Sequence, residues 1–222
     1  WKKGDYDKAL DYCTRSLEIA EELGYKRGMG YSLHNIGIIY NDKGNYDKAV
    51  DYFIRCIEIQ KELGDKGGIA KRQGSKYGIA LSNHGIGKSH FFKENSSETV
   101  QSFKKALDIW RELENKTQET WTLSWLILSE LKSGNHNQQD NLNVISKLLS
   151  DNEIADSDIS VVNWNLYQAY AELHDGKKGR GYLEVAYNEV MKHADKLEDK
   201  ESFLTNVRLN REIVEEWENP PN

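Results

Sequence analysis

The chain has 222 residues, a formal net charge of −6 and a hydrophobic fraction of 38%, which suits a short helical-repeat array better than one compact domain. No segment approaches ~18 apolar residues, so we expect no membrane span, and the acidic balance argues against nucleic acid as a partner. Two cysteines exclude a disulfide scaffold or a cysteine-based zinc framework. No charged-then-apolar leader opens the sequence, so we expect a cytoplasmic protein.

The first two segments of the chain are near copies of each other. Residues 4–26 and 44–66 are identical at 14 of 23 positions at an offset of 40. The segment that begins at Gly28 returns at Gly78, an offset of 50. The ten additional residues predict an insertion at 67–76, and the pattern leaves open whether it is a loop or a helix extension.

Each repeat is predicted to form two helices, A and B. In the second repeat Leu33, Ile36 and Tyr40 share one helical face, and a Gly44-Asn45 turn ends that helix. Gly37 costs ~1 kcal/mol in mid-helix relative to alanine, so we expect it to allow close approach of helix B, with Ala49 as the other small residue. The predicted helices span 5–23, 27–43, 46–63, 77–93, 97–114, 117–133, 136–149, 158–174, 177–197 and 208–217, with no sheet.

The helix pair that carries Ile36-Gly37, Tyr40, Ala49 and Phe53 resembles the tetratricopeptide repeat, with a period of 40 rather than 34 residues. The resemblance implies an all-α fold: a right-handed α-α superhelix, or TPR solenoid, with a C-terminal capping helix. It also implies binding of a protein or peptide on the concave surface lined by the A helices. This longer variety is similar to the repeats of kinesin light chain and of large bacterial signalling proteins linked to NTPase, cyclase or kinase domains. We therefore expect a scaffold or sensor module of a larger signalling protein.

The repeat pattern also predicts the domain organisation. The array is predicted at 1–197 and a capping segment at 198–222. Residues 5–23 would form a helix B without its helix A, so we expect a chain cut from a longer array, and self-association through this uncapped helix is the alternative function. Within the array, a half repeat is predicted at 1–24 and full repeats at about 26–64, 77–114, 117–150 and 157–197.

The candidate binding residues are the inward positions of the A helices, counted from Gly37 and its equivalents. By the resemblance, Asn35 is the helix A asparagine that pairs with a partner's backbone. His34 and His84 recur at one position, and if the partner is acidic there, we expect binding to tighten as the pH falls through ~6.5. The full set is Tyr31, His34, Asn35, Ile38, Asn41, Leu81, His84, Lys88, Phe91, Trp121, Ser124, Leu128, Trp164 and Gln168.

The insertion brings together positive charges in an acidic chain: Lys66, Lys71, Arg72 and Lys76. A solubilising extension is the more ordinary interpretation, and a flap that meets an acidic partner segment is the functional one.

A nucleotide-binding enzyme is the rival hypothesis, because Gly87-Lys88-Ser89 resembles the end of a phosphate-binding loop. The first glycine of that motif would have to stand at position 82, which is Ser82. No HExxH motif, clustered ligand set or nucleophile with a nearby base accompanies it. We therefore expect no cofactor, no metal and no catalytic residues.

Overall fold

The computed structural model describes residues 6–65, 68–151 and 156–219. These residues form eleven α-helices and no β-strand, so the predicted all-α fold class is confirmed. None of the described helices is long and apolar enough to cross a bilayer. The helices are α1 (Tyr6–Glu22), α2 (Lys26–Asp42), α3 (Tyr46–Asp65), α4 (Ile69–Phe92), α5 (Ser96–Glu112), α6 (Lys116–Lys132), α7 (Gln139–Ser150), α8 (Asp156–Glu172), α9 (Gly176–Ala194), α10 (Lys200–Asn206) and α11 (Arg208–Glu218).

Most of these helices end with the same turn. After α2, Gly44 has a φ of +74°, and the N–H groups of Gly44 and Asn45 bond the carbonyls of Asn41 and Tyr40. This is the Schellman arrangement, in which a left-handed residue turns the chain so that the next helix folds back. The turn after α8 is built in the same way around His174, which also has a positive φ, of 56°.

The described residues divide into two compact units, 6–115 and 116–219. In the first unit each helix from α1 to α5 packs against the next, and α2 also contacts α4. The helices therefore alternate, with α2 and α4 as A helices and α1, α3 and α5 as B helices.

Glycine makes room for phenylalanine in the core of the first unit. A Cβ on Gly37 would stand 2.7 Å from the Phe53 ring, and one on Gly85 would stand 2.4 Å from it. Gly87 meets Phe103 in the same way, at 2.7 Å. Gly37 thus leaves room for the ring of Phe53, whereas the expected close approach of helix B with Ala49 stays a prediction.

Ion pairs also recur with the repeat. Lys26 at the start of α2 pairs with Glu62 near the end of α3, and fifty residues later Lys76 pairs with Glu112. These pairs are exposed, so each contributes at most ~1 kcal/mol, but they identify equivalent positions in the two repeats.

The inserted residues lengthen a helix. Residues 69–76 form the first two turns of α4, which has 24 residues where α2 has 17. The hydroxyl of Ser75 donates to the carbonyl of Gln60 and fixes this extension against α3.

The second unit contains α6 to α11. There α6 contacts α7 and α8, α8 packs against α9, and both α10 and α11 contact α9. Ile213 of α11 is fully buried, Trp217 stacks on Tyr187 at 5.2 Å, and the hydroxyl of Tyr167 donates to Glu216. Sequence analysis predicted α11 but missed α10.

Candidate functional site

The accessible face of α2 carries a row of chemically different side chains. Tyr31, Asn35, Ile38 and Asp42 are spaced i, i+4, i+7 and i+11, which places them on one face of the helix. The Tyr31 side chain is 61% exposed, Asn35 and Ile38 are partly buried, and Asp42 is exposed. An aromatic ring, an amide, an aliphatic group and a carboxylate thus line about 16 Å of helix.

The neighbouring A helix, α4, continues this surface. Leu81 and Lys88 lie at the positions equivalent to Tyr31 and Ile38, and Phe91 lies at the position equivalent to Asn41; all three are partly buried. Although the Asp42 side chain is accessible, surrounding protein atoms desolvate its carboxyl and raise its pKa, and the attraction of Lys88 opposes that shift. We call the set the A-helix strip: Tyr31, Asn35, Ile38, Asp42, Leu81, Lys88 and Phe91.

The amide of Asn35 is the distinctive group of the strip. Among the residues that the structure describes, none makes a hydrogen bond with this side chain. Its neighbour Tyr31 lies beneath the guanidinium of Arg27, 6.0 Å from the ring centre. A half-buried amide without a partner retains one acceptor and two donors that a bound backbone can satisfy.

The two histidines lie at the seam between α2 and α4, and the pH dependence predicted for them is wrong. His34 Nδ1 is 3.5 Å from Ser82 Oγ, and burial lowers the pKa of His34 to about 4. His84 is 1% exposed; burial lowers its pKa well below the ordinary value, and Lys88 adds to that shift. Both imidazoles are therefore neutral at pH 6.5 and cannot strengthen binding by gaining charge there.

Four predicted binding residues lie in the interior instead of on a surface: Asn41, His84, Ser124 and Leu128. The His84 ring packs 5.3 Å from the Phe103 ring, and Ser124 Oγ accepts a hydrogen bond from Asn165 Nδ2 at 3.0 Å. The prediction fails for these residues because neighbouring helices cover the flank of each A helix. The exposed row is displaced by about one residue, which is why Asp42 was missed although it lies one turn after Ile38.

In the second unit, three predicted residues are partly buried: Trp121, Trp164 and Gln168. The Trp164 ring lies 5.5 Å from that of Tyr167 and packs against the cluster around Leu183. These side chains belong to a unit of their own and are described separately from the A-helix strip.

The basic residues of the insertion do not act as one group. Lys76 pairs with Glu112 of α5, whereas Lys71 and Arg72 are exposed on the first turn of α4. Lys66 lies outside the described residues.

The motif Gly87-Lys88-Ser89 lies within α4, where it forms no phosphate-binding loop. Gly87 contacts the Phe103 ring, and the Ser89 hydroxyl donates to the carbonyl of Gly85 at 3.0 Å. In the described part of the chain, no group of three or more His, Cys, Asp or Glu side chains is arranged to hold a metal ion.

Alternating helix pairs, with an accessible row along α2 and α4, are the architecture of a helical-repeat protein. Residues 1–62 match the family model described as tetratricopeptide repeat, which confirms the predicted resemblance to this family over that part of the chain. Residues 68–132 match the family model of anaphase-promoting complex subunit 5. No curated protein matches the chain.

Proposed function

We propose that this protein is a protein-interaction scaffold and that the A-helix strip holds a segment of its partner. The observation that carries the proposal is the partly buried Asn35 amide, which has no hydrogen-bond partner among the described residues and stands between Tyr31 and Ile38. A side chain in this position gains a bond when a peptide backbone crosses the strip, because burying an unpaired polar group is costly. The tetratricopeptide-repeat match of residues 1–62 supports a binding function.

The strip favours a short extended or helical segment with at least one large apolar side chain. Tyr31, Ile38 and Leu81 offer apolar surface, and exposed aromatic residues often dominate the binding energy of an interface. Lys88 and Asp42 supply charges of both signs, which would fix the direction of the bound segment more than its affinity.

We further propose that Trp121, Trp164 and Gln168 form a second contact region, and that Lys71 and Arg72 favour an acidic partner. A place in a larger signalling protein remains a prediction, based on the repeat length. The match of residues 68–132 to a subunit of the anaphase-promoting complex supports a role in a multiprotein assembly.

A displayed library of random peptides tests the proposal and does not require an identified partner. Peptides enriched on the intact chain are measured against Tyr31→Ala, Asn35→Ala and the control Lys61→Glu, an exposed position on α3. We expect each strip variant to weaken binding by about tenfold or more and the control to retain it. Enriched peptides that bind both strip variants as tightly as the parent would overturn the proposal.

Self-association is the second candidate function, and the exposed apolar side chains of α1, Tyr12, Ile19 and Leu23, favour it. Light scattering at several concentrations separates the two functions. A molar mass that rises with concentration supports self-association. A constant monomeric mass contradicts it and favours the peptide-binding scaffold.

A further inference from the structure

A glutamine of helix B reaches between the two A helices of the first unit. Gln60 of α3 is only 9% exposed. A Cβ on Gly30 of α2 would stand 2.6 Å from Gln60 Nε2, and one on Gly78 of α4 would stand 2.7 Å from Gln60 Cδ. The amide therefore lies in the seam between α2 and α4, where two glycines leave room for it.

This part of the seam is next to the A-helix strip. Gly30 directly precedes Tyr31, and Gly78 lies one turn before Leu81. Along the axes of the two A helices, the Gln60 amide is thus level with the apolar end of the strip. A segment that lies across Tyr31 and Leu81 passes over the seam that holds this amide.

The Gln60 side chain has no hydrogen bond with any residue that the structure describes, although nine-tenths of its surface is buried. Its main-chain carbonyl, in contrast, accepts a bond from the hydroxyl of Ser75. Burying an unpaired amide is unfavourable, because the carbonyl and the NH₂ group both lose contact with water. The core of the first unit thus contains a polar group that contributes nothing to the fold by hydrogen bonding.

The equivalent positions of the neighbouring B helices carry apolar residues. Fifty residues later stands Trp110, fully buried in a cluster with Ala80 and Ala106, and forty residues earlier stands Ala20, also buried. The counterpart of Gly30 in α4 is Ala80. Apolar residues therefore suffice to fill this place, and packing alone requires neither the amide of α3 nor the glycine of α2.

We propose that Gln60 is a further binding residue of the A-helix strip and that its amide bonds the backbone of an extended partner segment between Tyr31 and Leu81. This inference rests on the proposed function of the strip. The amide offers one acceptor and two donors, so it can accept from a peptide N–H and donate to a peptide carbonyl. An α-helix uses these backbone groups internally, which is why an extended segment fits Gln60 and a helical one does not.

Gln60→Met tests the proposal, because methionine keeps an unbranched side chain of similar length and removes the amide. We expect peptides enriched on the parent chain to bind this variant about three- to tenfold more weakly. Resistance to urea should stay equal or rise, since an unpaired buried amide is lost. Gln101→Met, at an exposed glutamine of α5, is the matched control and should change neither quantity. A Gln60→Met chain that binds these peptides as tightly as the parent overturns the proposal.

Single ester substitutions along an enriched peptide identify the backbone group that Gln60 contacts. Each ester removes one peptide N–H without changing a side chain. We expect one position at which the ester weakens binding to the parent by about threefold or more and leaves binding to Gln60→Met unchanged, because two changes to one hydrogen bond are not additive. Equal losses for the two chains at every position overturn the proposal.

Asn35→Ala separates this inference from the proposed function. Peptides that require Asn35 but not Gln60 contradict the role of Gln60 and leave the strip intact. Peptides that bind Asn35→Ala and Tyr31→Ala as tightly as the parent contradict the strip itself, and the role of Gln60 with it.

Discussion

The helix pairs α2–α3 and α8–α9 have the same plan and different cores. In both, a tyrosine of helix A stacks on a tyrosine of helix B twelve residues later, at 5.5 Å for Tyr40–Tyr52 and 5.4 Å for Tyr170–Tyr182. In both, a lysine lies over the helix A ring, 5.2 Å away for Lys48 and 5.6 Å for Lys178.

Between these shared contacts, the small and large residues differ. The first pair places Gly37 against Phe53. The second has Tyr167 at the glycine position and Leu183 at the phenylalanine position, while Gly179 replaces Ala49. A Cβ on Gly179 would stand 3.4 Å from the Tyr170 Cβ, which is ordinary contact. The repeat therefore conserves the fit between two helices rather than the residues that achieve it.

Removing the large side chain should have the largest effect, and the effect should be greater in the first pair. We expect Phe53→Ala to lower the free energy of unfolding by about 4 kcal/mol and Leu183→Ala by about 3 kcal/mol. Phe53 is packed between two glycines, Gly37 and Gly85, which have no side chains to move into the cavity. The free energy of unfolding is measured by urea denaturation. Hydrogen exchange of the amides assigns each loss to the first or the second unit. A greater loss for Leu183→Ala would contradict this view of the two cores.

Adding a side chain at Gly37 should cost slightly less. Gly37→Leu forces a group into space that the Phe53 ring occupies, and overpacking of this kind costs about 3 kcal/mol at its upper range. Gly181→Leu is the control, because a Cβ there meets nothing within 4 Å and leucine favours helix over glycine by several tenths of a kcal/mol or more. Phe53→Leu should recover part of the Gly37→Leu loss, since it imitates the α8–α9 arrangement. Equal losses for the two glycine variants would refute the packing argument.

Acid should lower the stability of the α2–α3 pair through His34, which has no histidine equivalent in the α8–α9 pair. His34 has a pKa of about 4 in the fold and about 6.5 when unfolded, so the unfolded chain binds more protons between these values. Stability is then fully present above pH 6.5 and falls as the pH drops toward 4, by at most roughly 3 kcal/mol from this residue. Trp164 occupies the equivalent position in α8.

The measurement for this prediction is the difference in unfolding free energy between the parent and His34→Gln at pH 7, 5.5 and 4.5. Carboxylates titrate in both proteins and cancel in the comparison. A difference that stays constant across this range would show that His34 does not titrate on unfolding.

The sequence was sufficient to predict the helices and the repeat, because local signals determine them. The apolar spacing around Leu33 and Ile36 and the turn at Gly44 predicted α2 to within one residue of its observed bounds. The residues of the binding surface were harder to predict, because exposure depends on neighbours distant in sequence. His84 and Ser124 have polar side chains, but packing against Phe103 and a hydrogen bond with Asn165, respectively, place them in the interior.

Two further features were not predictable for physical reasons. The inserted residues show no apolar periodicity strong enough to distinguish a loop from a helix extension. The hydrogen bond from Ser75 to the carbonyl of Gln60, which holds the extension against α3, could not be predicted from the sequence. In the capping segment, α10 has only seven residues, too few for a periodic pattern to stand out from chance.

The smallest predicted effect concerns the turns that end the two A helices. Gly44 and His174 have positive φ values of 74° and 56°, and a residue with a Cβ pays about 1–2 kcal/mol for that conformation. Part of this cost is offset because glycine loses more backbone freedom on folding. We therefore expect His174→Gly to raise the free energy of unfolding by about 0.5–1 kcal/mol, and Gly44→His to lower it by a similar amount.

The His174 side chain is exposed, so its removal costs little packing. The melting temperatures of the two variants are compared with that of the parent, and we expect shifts of similar size in opposite directions. The reason is that the two turns have equivalent hydrogen bonds: the Asn45 N–H donates to the carbonyl of Tyr40, and the Asp175 N–H donates to that of Tyr170. Shifts in the same direction would show that the turns are not interchangeable and that the likeness of the two helix pairs ends at their packed faces.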